Sequence, residues 1–88
     1  MKSFTAIVQD PTGLHARPAT LLVQAANQFK SKILIKTSAG ATGDVKSIIN
    51  LLALGIKQGD KIEVVVEGED ESLAADGIKK SLEDNKII

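Results

Sequence analysis

The chain of 88 residues has no cysteine, no tryptophan and no tyrosine, and it contains only two phenylalanines and one histidine. Without cysteine it forms no disulfide, thiolate metal site or thiol nucleophile, and this composition suits a reducing cytoplasm. Two aromatic rings give nucleic-acid bases almost nothing to stack on. Because eleven acidic residues balance eleven basic ones, the net charge attracts neither nucleic acid nor an anionic membrane.

Other functional groups are equally scarce. One histidine and no cysteine supply too few ligands for a closed zinc site. The sequence shows neither a nucleophile–base pair nor a cofactor fingerprint, so we expect no metal, no cofactor and no free-standing catalysis. It also has no signal-like segment and no apolar run long enough to span a bilayer, which argues against membrane insertion.

The composition is that of one folded domain over residues 1–88, with 43% apolar and 25% charged residues. Its hydrophobic periodicity predicts the order β-α-β-β-α-β-α. We expect strands at 4–8, 33–37 and 62–66, and a short third strand that follows a turn within 38–44. Since each helix has one apolar stripe to bury, a four-stranded sheet should carry all three helices on one face, with 62–66 near its centre.

Each helical segment carries its own signals. The first helix follows His15, the second has Ser47 as its N-cap and ends at Gly55, and the third has an acidic start at 68–72. The residues expected on the buried stripes are Pro18, Leu22, Ala25, Ala26 and Phe29 in the first helix, and Leu73 or Ala74, Ile78 and Leu82 in the third.

The surroundings of the only histidine indicate an anion site. A turn at 10–13 comes before His15 and Pro18 follows in the first helical turn, so His15 should lie at or next to the N-cap. The N–H groups of Ala16 and Arg17 then have no helical partner, and they point outward at the positive end of the helix dipole. The Arg17 guanidinium adds a fork of donors that matches a phosphate.

A phosphoryl group is the natural guest of such a site. Arg17 and the helix end both disfavour an imidazolium, so we expect a neutral His15 ring that acts as a nucleophile. Thr12 is small and polar and suits a hydrogen bond to a phosphoryl group, although it equally suits a plain turn. On composition alone, a lone histidine in a small domain is more often a surface residue with no further role.

The second helix predicts a docking surface. Ser47 before it fits an ordinary N-cap. The apolar side chains after Ser47 spread around the helix, and one small sheet covers only one side of it, so some of them should remain in water. The side chain expected to point inward is Ile48 or Leu52, and the more exposed ones are expected among Ile49, Leu51 and Leu54.

Two segments of the chain resemble one known family. The segment 13–19 (GLHARPA) resembles the active-site signature of HPr, the histidine-containing phosphocarrier family of the bacterial sugar phosphotransferase system. The segment 45–56 resembles that family's regulatory-serine segment, at nearly the family spacing and in a chain of matching length. The resemblance implies an α+β open-faced β-sandwich, in which a four-stranded antiparallel sheet carries three helices on one face.

The same resemblance implies a function. His15 would accept a phosphoryl group on its ring Nδ1 from phosphorylated enzyme I and pass it to a sugar-specific enzyme IIA. Arg17 would stabilise that group, and Thr12 and Ala16 would help to bind it. Ser47 would be phosphorylated by an ATP-dependent kinase, with a serine phosphorylase and a catabolite-control regulator as further partners. The residues expected to contact partners are Thr20, Leu21, Gln24, Ile48, Ile49 and Leu52.

One alternative belongs to a different class of protein. In a purely regulatory adaptor, Ser47 phosphorylation and surface docking would matter and His15 would be idle. The presence of His15 together with Arg17 favours the carrier. We expect a cytoplasmic monomer that binds no nucleic acid, since a shuttle must expose its site to successive partners.

Overall fold

The computed structural model describes residues 1–88 and contains four strands and three helices in the predicted order. The strands are β1 (Lys2–Ile7), β2 (Lys32–Thr37), β3 (Thr42–Asp44) and β4 (Lys61–Glu67), and the helices are α1 (Arg17–Ala26), α2 (Ile48–Ala53) and α3 (Glu71–Asp84). No helix is long and apolar enough to cross a membrane.

The four strands form one antiparallel sheet in the order β1-β4-β2-β3. Strand β4 is central, as predicted, because the β-branched run Ile62–Val66 suits a strand that is paired on both sides. Strands β2 and β3 form a hairpin around the turn expected within 38–44, whereas β1 pairs with β4 only after the chain has formed both intervening helices. The α+β open-faced sandwich is therefore confirmed.

One face of the sheet carries the core. The register places Ile33 opposite Val66 and Ile35 opposite Val64, so these four buried side chains share a face. The opposite face is charged and only half-buried at its centre. All three helices contribute to the single core cluster, through Ala19, Leu22, Ala26, Leu51, Ala74, Ile78 and Leu82.

The first helix is shorter than its apolar spacing predicted, and the placement of Phe29 on its stripe is wrong. Helix α1 ends at Ala26, where the side-chain amide of Asn27 donates to the carbonyl of Val23 at 2.9 Å. Phe29 lies in the following turn and packs against α3. A Cβ at Gly77 would lie 2.5 Å from the Phe29 ring, so this glycine makes room for the ring within a helix that it otherwise weakens.

The exposure of α2 is partly as expected. Ile49 is 76% exposed and confirms the prediction, but Leu51 is fully buried, so its assignment to the exposed group is wrong. The expectation that Ile48 or Leu52 points inward is wrong, because Ile48 is half-buried and Leu52 is 40% exposed. Leu51 is the fully buried residue of this six-residue helix. In α3 the buried residue is Ala74, and Leu73 is exposed.

A carboxylate joins the α1–β2 turn to the start of α3. Asp70 accepts hydrogen bonds from the backbone N–H of Lys30 and of Ser31, both at 2.9 Å, and from the Ser31 hydroxyl. These bonds, the Ser31 hydroxyl first, lower the pKa of Asp70 from 3.8 to about 2, because they favour the charged form. Sequence patterning had assigned Asp70 only to an acidic helix start.

This carboxylate predicts an acid-sensitive contribution to stability. Because the pKa of Asp70 is lower in the folded protein than in the unfolded chain, the carboxylate stabilises the fold at pH values above its unfolded pKa of 3.8. That stability is lost as the pH falls toward 2. We expect Asp70→Asn to be less stable than the wild type at pH 7 and to lose less stability between pH 5 and pH 2. Urea unfolding followed by circular dichroism at several pH values measures both effects.

The matched control for this measurement is Asp76→Asn, which removes an exposed carboxylate of α3 that makes no side-chain hydrogen bond. Its pH profile should follow that of the wild type. If the Asp70→Asn profile also ran parallel to the wild type, the assigned role of Asp70 would be wrong.

Candidate functional site

A hydrogen-bonded turn leads the chain into the histidine segment. The N–H of Gly13 donates to the carbonyl of Asp10 at 2.8 Å. Thr12 donates twice to one carboxylate oxygen of Asp10, from its N–H at 2.8 Å and from its hydroxyl at 2.7 Å. The Thr12 hydroxyl is the first cause that holds the pKa of Asp10 below its usual value, followed by the Thr12 N–H, and the charge of Arg17 acts in the same direction.

Gly13 brings the chain against a distant loop. Its φ of +66° favours glycine, and an added Cβ would lie 2.7 Å from the Lys57 Cα and closer still to the carbonyl of Ile56. Immediately after it, the N–H of Leu14 donates to the Ile56 carbonyl at 3.1 Å, and the Leu14 side chain is buried. The backbone is therefore held in place directly before His15.

The next three residues are exposed. His15, Ala16 and Arg17 lie between buried Leu14 on one side and buried Pro18 on the other. Helix α1 begins at Arg17 and its N-cap is Ala16, so His15 lies next to the N-cap, as predicted. The backbone N–H groups of His15, Ala16 and Arg17 have no acceptor within the chain.

The N-cap itself is strained. Ala16 has φ +53° and ψ −122°, a conformation that residues other than glycine rarely adopt and that costs about 1–3 kcal/mol. The carbonyl of Ala16 accepts from Thr20 twice, from its N–H at 3.1 Å and its hydroxyl at 3.2 Å. Thr20, predicted as a contact residue, thus also holds the first turn of α1.

Arg17 lines a shallow depression beside the histidine segment. This depression has a volume of about 220 Å³ and is lined by Asp10, Thr12, Arg17, Pro18, Leu21, Asn85 and Ile87. The structure therefore brings three predicted site residues together, Thr12, Arg17 and Leu21, whereas the lining does not include His15. Two larger depressions, of about 310 and 270 Å³, lie around β2, β4 and the β2–β3 turn and contain none of the predicted site residues.

Ser47 is the N-cap of α2, as predicted, and its hydroxyl is closely held. The Ser47 Oγ accepts from the N–H of Asn50 at 3.3 Å and from the Asn50 side-chain amide at 3.2 Å. The side-chain oxygen Oδ1 of Asn50 in turn accepts from the N–H of Asp44 at 3.3 Å. This role of Asn50 was missed, because the capping-box signal is Glu or Gln at this position, whereas the Asn50 amide donates to the Ser47 hydroxyl.

The loop before Ser47 is tied to the end of α1. The ammonium of Lys46 donates to the carbonyl of Phe29 at 2.7 Å, and the side-chain amide of Asn27 also reaches the Lys46 carbonyl at 3.4 Å. Helices α1 and α2 pack against each other.

The six predicted contact residues differ in exposure. Four are exposed, namely Thr20, Gln24, Ile49 and Leu52, and two are half-buried, namely Leu21 and Ile48.

Comparison with known proteins agrees with this arrangement. A family model described as "PTS HPr component phosphorylation site" matches residues 2–84. The chain is 47% identical to the phosphocarrier protein HPr of Mycoplasma genitalium, and the alignment covers all of both chains.

Solved structures show the same fold. One is a histidine-containing phosphocarrier protein studied for the divergence of Mycoplasma from Gram-positive bacteria, with a TM-score of 0.94 and 39% identity over 99% of this chain and 98% of that one. Another is Crh, the Bacillus subtilis catabolite repression containing protein, with a TM-score of 0.74 and 32% identity over 94% and 93% of the two chains. On the family match and the full-length identity, the chain belongs to the HPr family of phosphocarrier proteins.

Proposed function

We propose that the chain accepts a phosphoryl group on His15 from phosphorylated enzyme I and passes it to sugar-specific enzyme IIA in phosphoenolpyruvate-dependent sugar uptake. The observation that carries this proposal is the position of the only histidine. His15 is exposed, directly follows a buried anchor at Leu14, and directly precedes a helix N-terminus whose amides have no partner.

The chemistry is a transfer between two nucleophiles. The lone pair of the His15 Nδ1 attacks phosphorus, the bond from phosphorus to enzyme I breaks, and a phosphorus–nitrogen bond forms at His15. In the onward step a histidine of enzyme IIA attacks the same phosphorus, and the electron pair of the breaking bond returns to the His15 ring. The chain supplies no further reactant, so it acts as a carrier and a substrate of its partners and needs no cofactor.

Three features of the site favour the phosphorylated form. The exposed N–H groups at Ala16 and Arg17 suit phosphate oxygens, and the dipole of α1 favours negative charge at this end. The Arg17 guanidinium offers a second set of donors from a side chain that is exposed to solvent. Thr12 can donate to the group only when its hydroxyl leaves Asp10.

A surface around His15 serves as the contact with partners in this proposal. It consists of exposed and half-buried side chains of α1 and α2, and its large exposed apolar members are Ile49 and Leu52. Enzyme I and enzyme IIA would use this surface in turn, which suits a cytoplasmic monomer. The side chains concerned are Thr20, Leu21, Gln24, Ile48, Ile49 and Leu52.

A regulatory role for Ser47 is the second part of the proposal. An ATP-dependent serine kinase would phosphorylate its hydroxyl, a phosphorylase would remove the group, and a catabolite-control regulator would read it. The hydroxyl accepts two hydrogen bonds but donates none within the chain, so its proton is available to a kinase. The name of the relative Crh, which refers to catabolite repression, also supports a regulatory branch.

The carrier role is tested with purified enzyme I and phosphoenolpyruvate. We expect the wild type to gain one acid-labile phosphoryl group, and His15→Ala to gain none, because no other ring nitrogen is present. Mass spectrometry before and after acid treatment measures both. Ser47→Ala is the matched control and should be labelled normally, whereas an unmodified wild type would contradict the carrier role.

Arg17 should affect the rate of transfer rather than its site. We expect Arg17→Gln to slow phosphorylation of His15 by about 10- to 100-fold, since one donor to a charged transition state is removed. Arg17→Lys keeps the charge without the planar fork, so its rate of phosphorylation should lie between those of the wild type and Arg17→Gln. Rapid-quench kinetics with phosphorylated enzyme I measure the rates, and equal rates for all three proteins would count against this role of Arg17.

The regulatory role is tested with ATP and an HPr serine kinase. We expect an acid-stable phosphate on the wild type and on His15→Ala, and none on Ser47→Ala. Because removal of this N-cap is also expected to destabilise the protein by about 1 kcal/mol, urea unfolding should accompany the assay. Phosphorylation of Ser47→Ala at another position would refute the assignment of the regulatory site.

A further inference from the structure

Asp10 is a charged residue near the histidine segment that the proposed transfer does not use. It lines the same depression as Arg17 and Thr12, which are the two side chains proposed to assist the phosphoryl group. It binds Thr12 through two hydrogen bonds to a single oxygen, at 2.7 and 2.8 Å. The shorter of these bonds occupies the Thr12 hydroxyl proton, which the phosphoryl group would otherwise receive.

The charge of Arg17 is within electrostatic range of this carboxylate. Its effect on the pKa of Asp10 is the smallest of the causes, in keeping with a pair that makes no direct ion pair. Both side chains lie at the depression whose lining does not include His15. In the resting protein, therefore, the Thr12 hydroxyl is bound to Asp10, and the Arg17 side chain lines the same depression without an ion pair to this carboxylate.

A phosphoryl group on His15 would add a negative charge of about two to this region. Its oxygens would compete with Asp10 for the guanidinium and for the Thr12 proton, and the carboxylate would repel the new charge. Both effects favour the unphosphorylated carrier. A carrier gains from this, because a phosphoryl group that is held too firmly is not passed on.

We propose that Asp10 is a positioning residue of the carrier site: it holds the Thr12 hydroxyl and places a negative charge in the depression that Arg17 lines, and so keeps the phosphoryl group of His15 easy to transfer. The inference rests on the proposed function of His15. It assigns to Asp10 a role beyond closure of the turn, and in this role Asp10 acts through Arg17.

The test compares Asp10→Asn with the wild type. Asparagine keeps an oxygen that accepts from the Thr12 N–H but removes the charge. Both proteins are phosphorylated on His15 with phosphoramidate, a small phosphoryl donor, and the loss of the group is followed by phosphorus NMR. In that loss, water attacks phosphorus, the phosphorus–nitrogen bond breaks, and inorganic phosphate and the free imidazole result.

We expect the phosphohistidine of Asp10→Asn to last about two- to fivefold longer, which is the range for an exposed charge interaction. The equilibrium with enzyme I should shift by a similar factor toward the phosphorylated carrier. In 1 M salt the difference should shrink, because the Debye length falls to about 3 Å. A purely structural role would change the melting temperature but not these quantities.

Two further variants isolate the cause. Asp44→Asn is the matched control, because Asp44 accepts from the N–H of Lys46, two residues on, at 2.9 Å but does not line the Arg17 depression. It should leave the lifetime unchanged. In an Arg17→Gln background the effect of Asp10→Asn should be much smaller. If Asp10→Asn does not fold, Asp10→Ser supplies a neutral acceptor for the same turn.

The outcomes distinguish the role of Asp10, its route through Arg17 and the proposed function of His15. Equal lifetimes and equilibria for the wild type and Asp10→Asn, or a difference that salt leaves unchanged, would overturn the role of Asp10. An undiminished effect in the Arg17→Gln background would overturn the route through Arg17. A wild type that accepts the group from phosphoramidate but not from enzyme I would defeat the proposed function, and its lifetime would still decide the role of Asp10. A wild type that accepts it from neither donor would defeat both.

Discussion

The close approach of Gly13 to the loop at Ile56 and Lys57 is the contact on which the site depends. Gly13 has a positive φ and no side chain, so the chain passes within van der Waals range of a distant backbone segment. The Leu14 N–H then donates to the Ile56 carbonyl. Leu14 is buried immediately afterwards, and His15, which follows it, is exposed. The packing of Gly13 and Leu14 therefore fixes the backbone from which the histidine projects into solvent.

Much of the fold could be predicted because its signals are local. The β-branched run Ile62–Val66, the serine before α2, and Gly55 after it are signals that act within a few residues, and β4 and α2 formed where these signals placed them. The strained start of α1 was not predicted, although Pro18 marked the first turn correctly. An alanine carries no sequence signal for a positive φ, so only the structure reveals it.

The features that were missed depend on contacts between distant parts of the chain. Asp70 binds the N–H of Lys30, which lies 40 residues earlier, and no periodicity reports such a bond. Phe29 continued the spacing of α1, but Asn27 ended the helix first and the ring packed against Gly77 instead. Leu51 was expected to be exposed because the short helix is apolar on most of its sides. Only the packing of α2 against α1 and β3 determines which side points inward.

The conformation of Ala16 also decides how far α1 can extend. Were this residue to relax to helical angles, the helix would gain a residue at its start and the free amide groups beside the histidine would point in a different direction. The Ala16 carbonyl already accepts the first helical hydrogen bond, from Thr20, whereas the backbone angles of Ala16 are not helical. A single non-helical alanine therefore sets where α1 begins, and with it the direction in which the open donors next to His15 point.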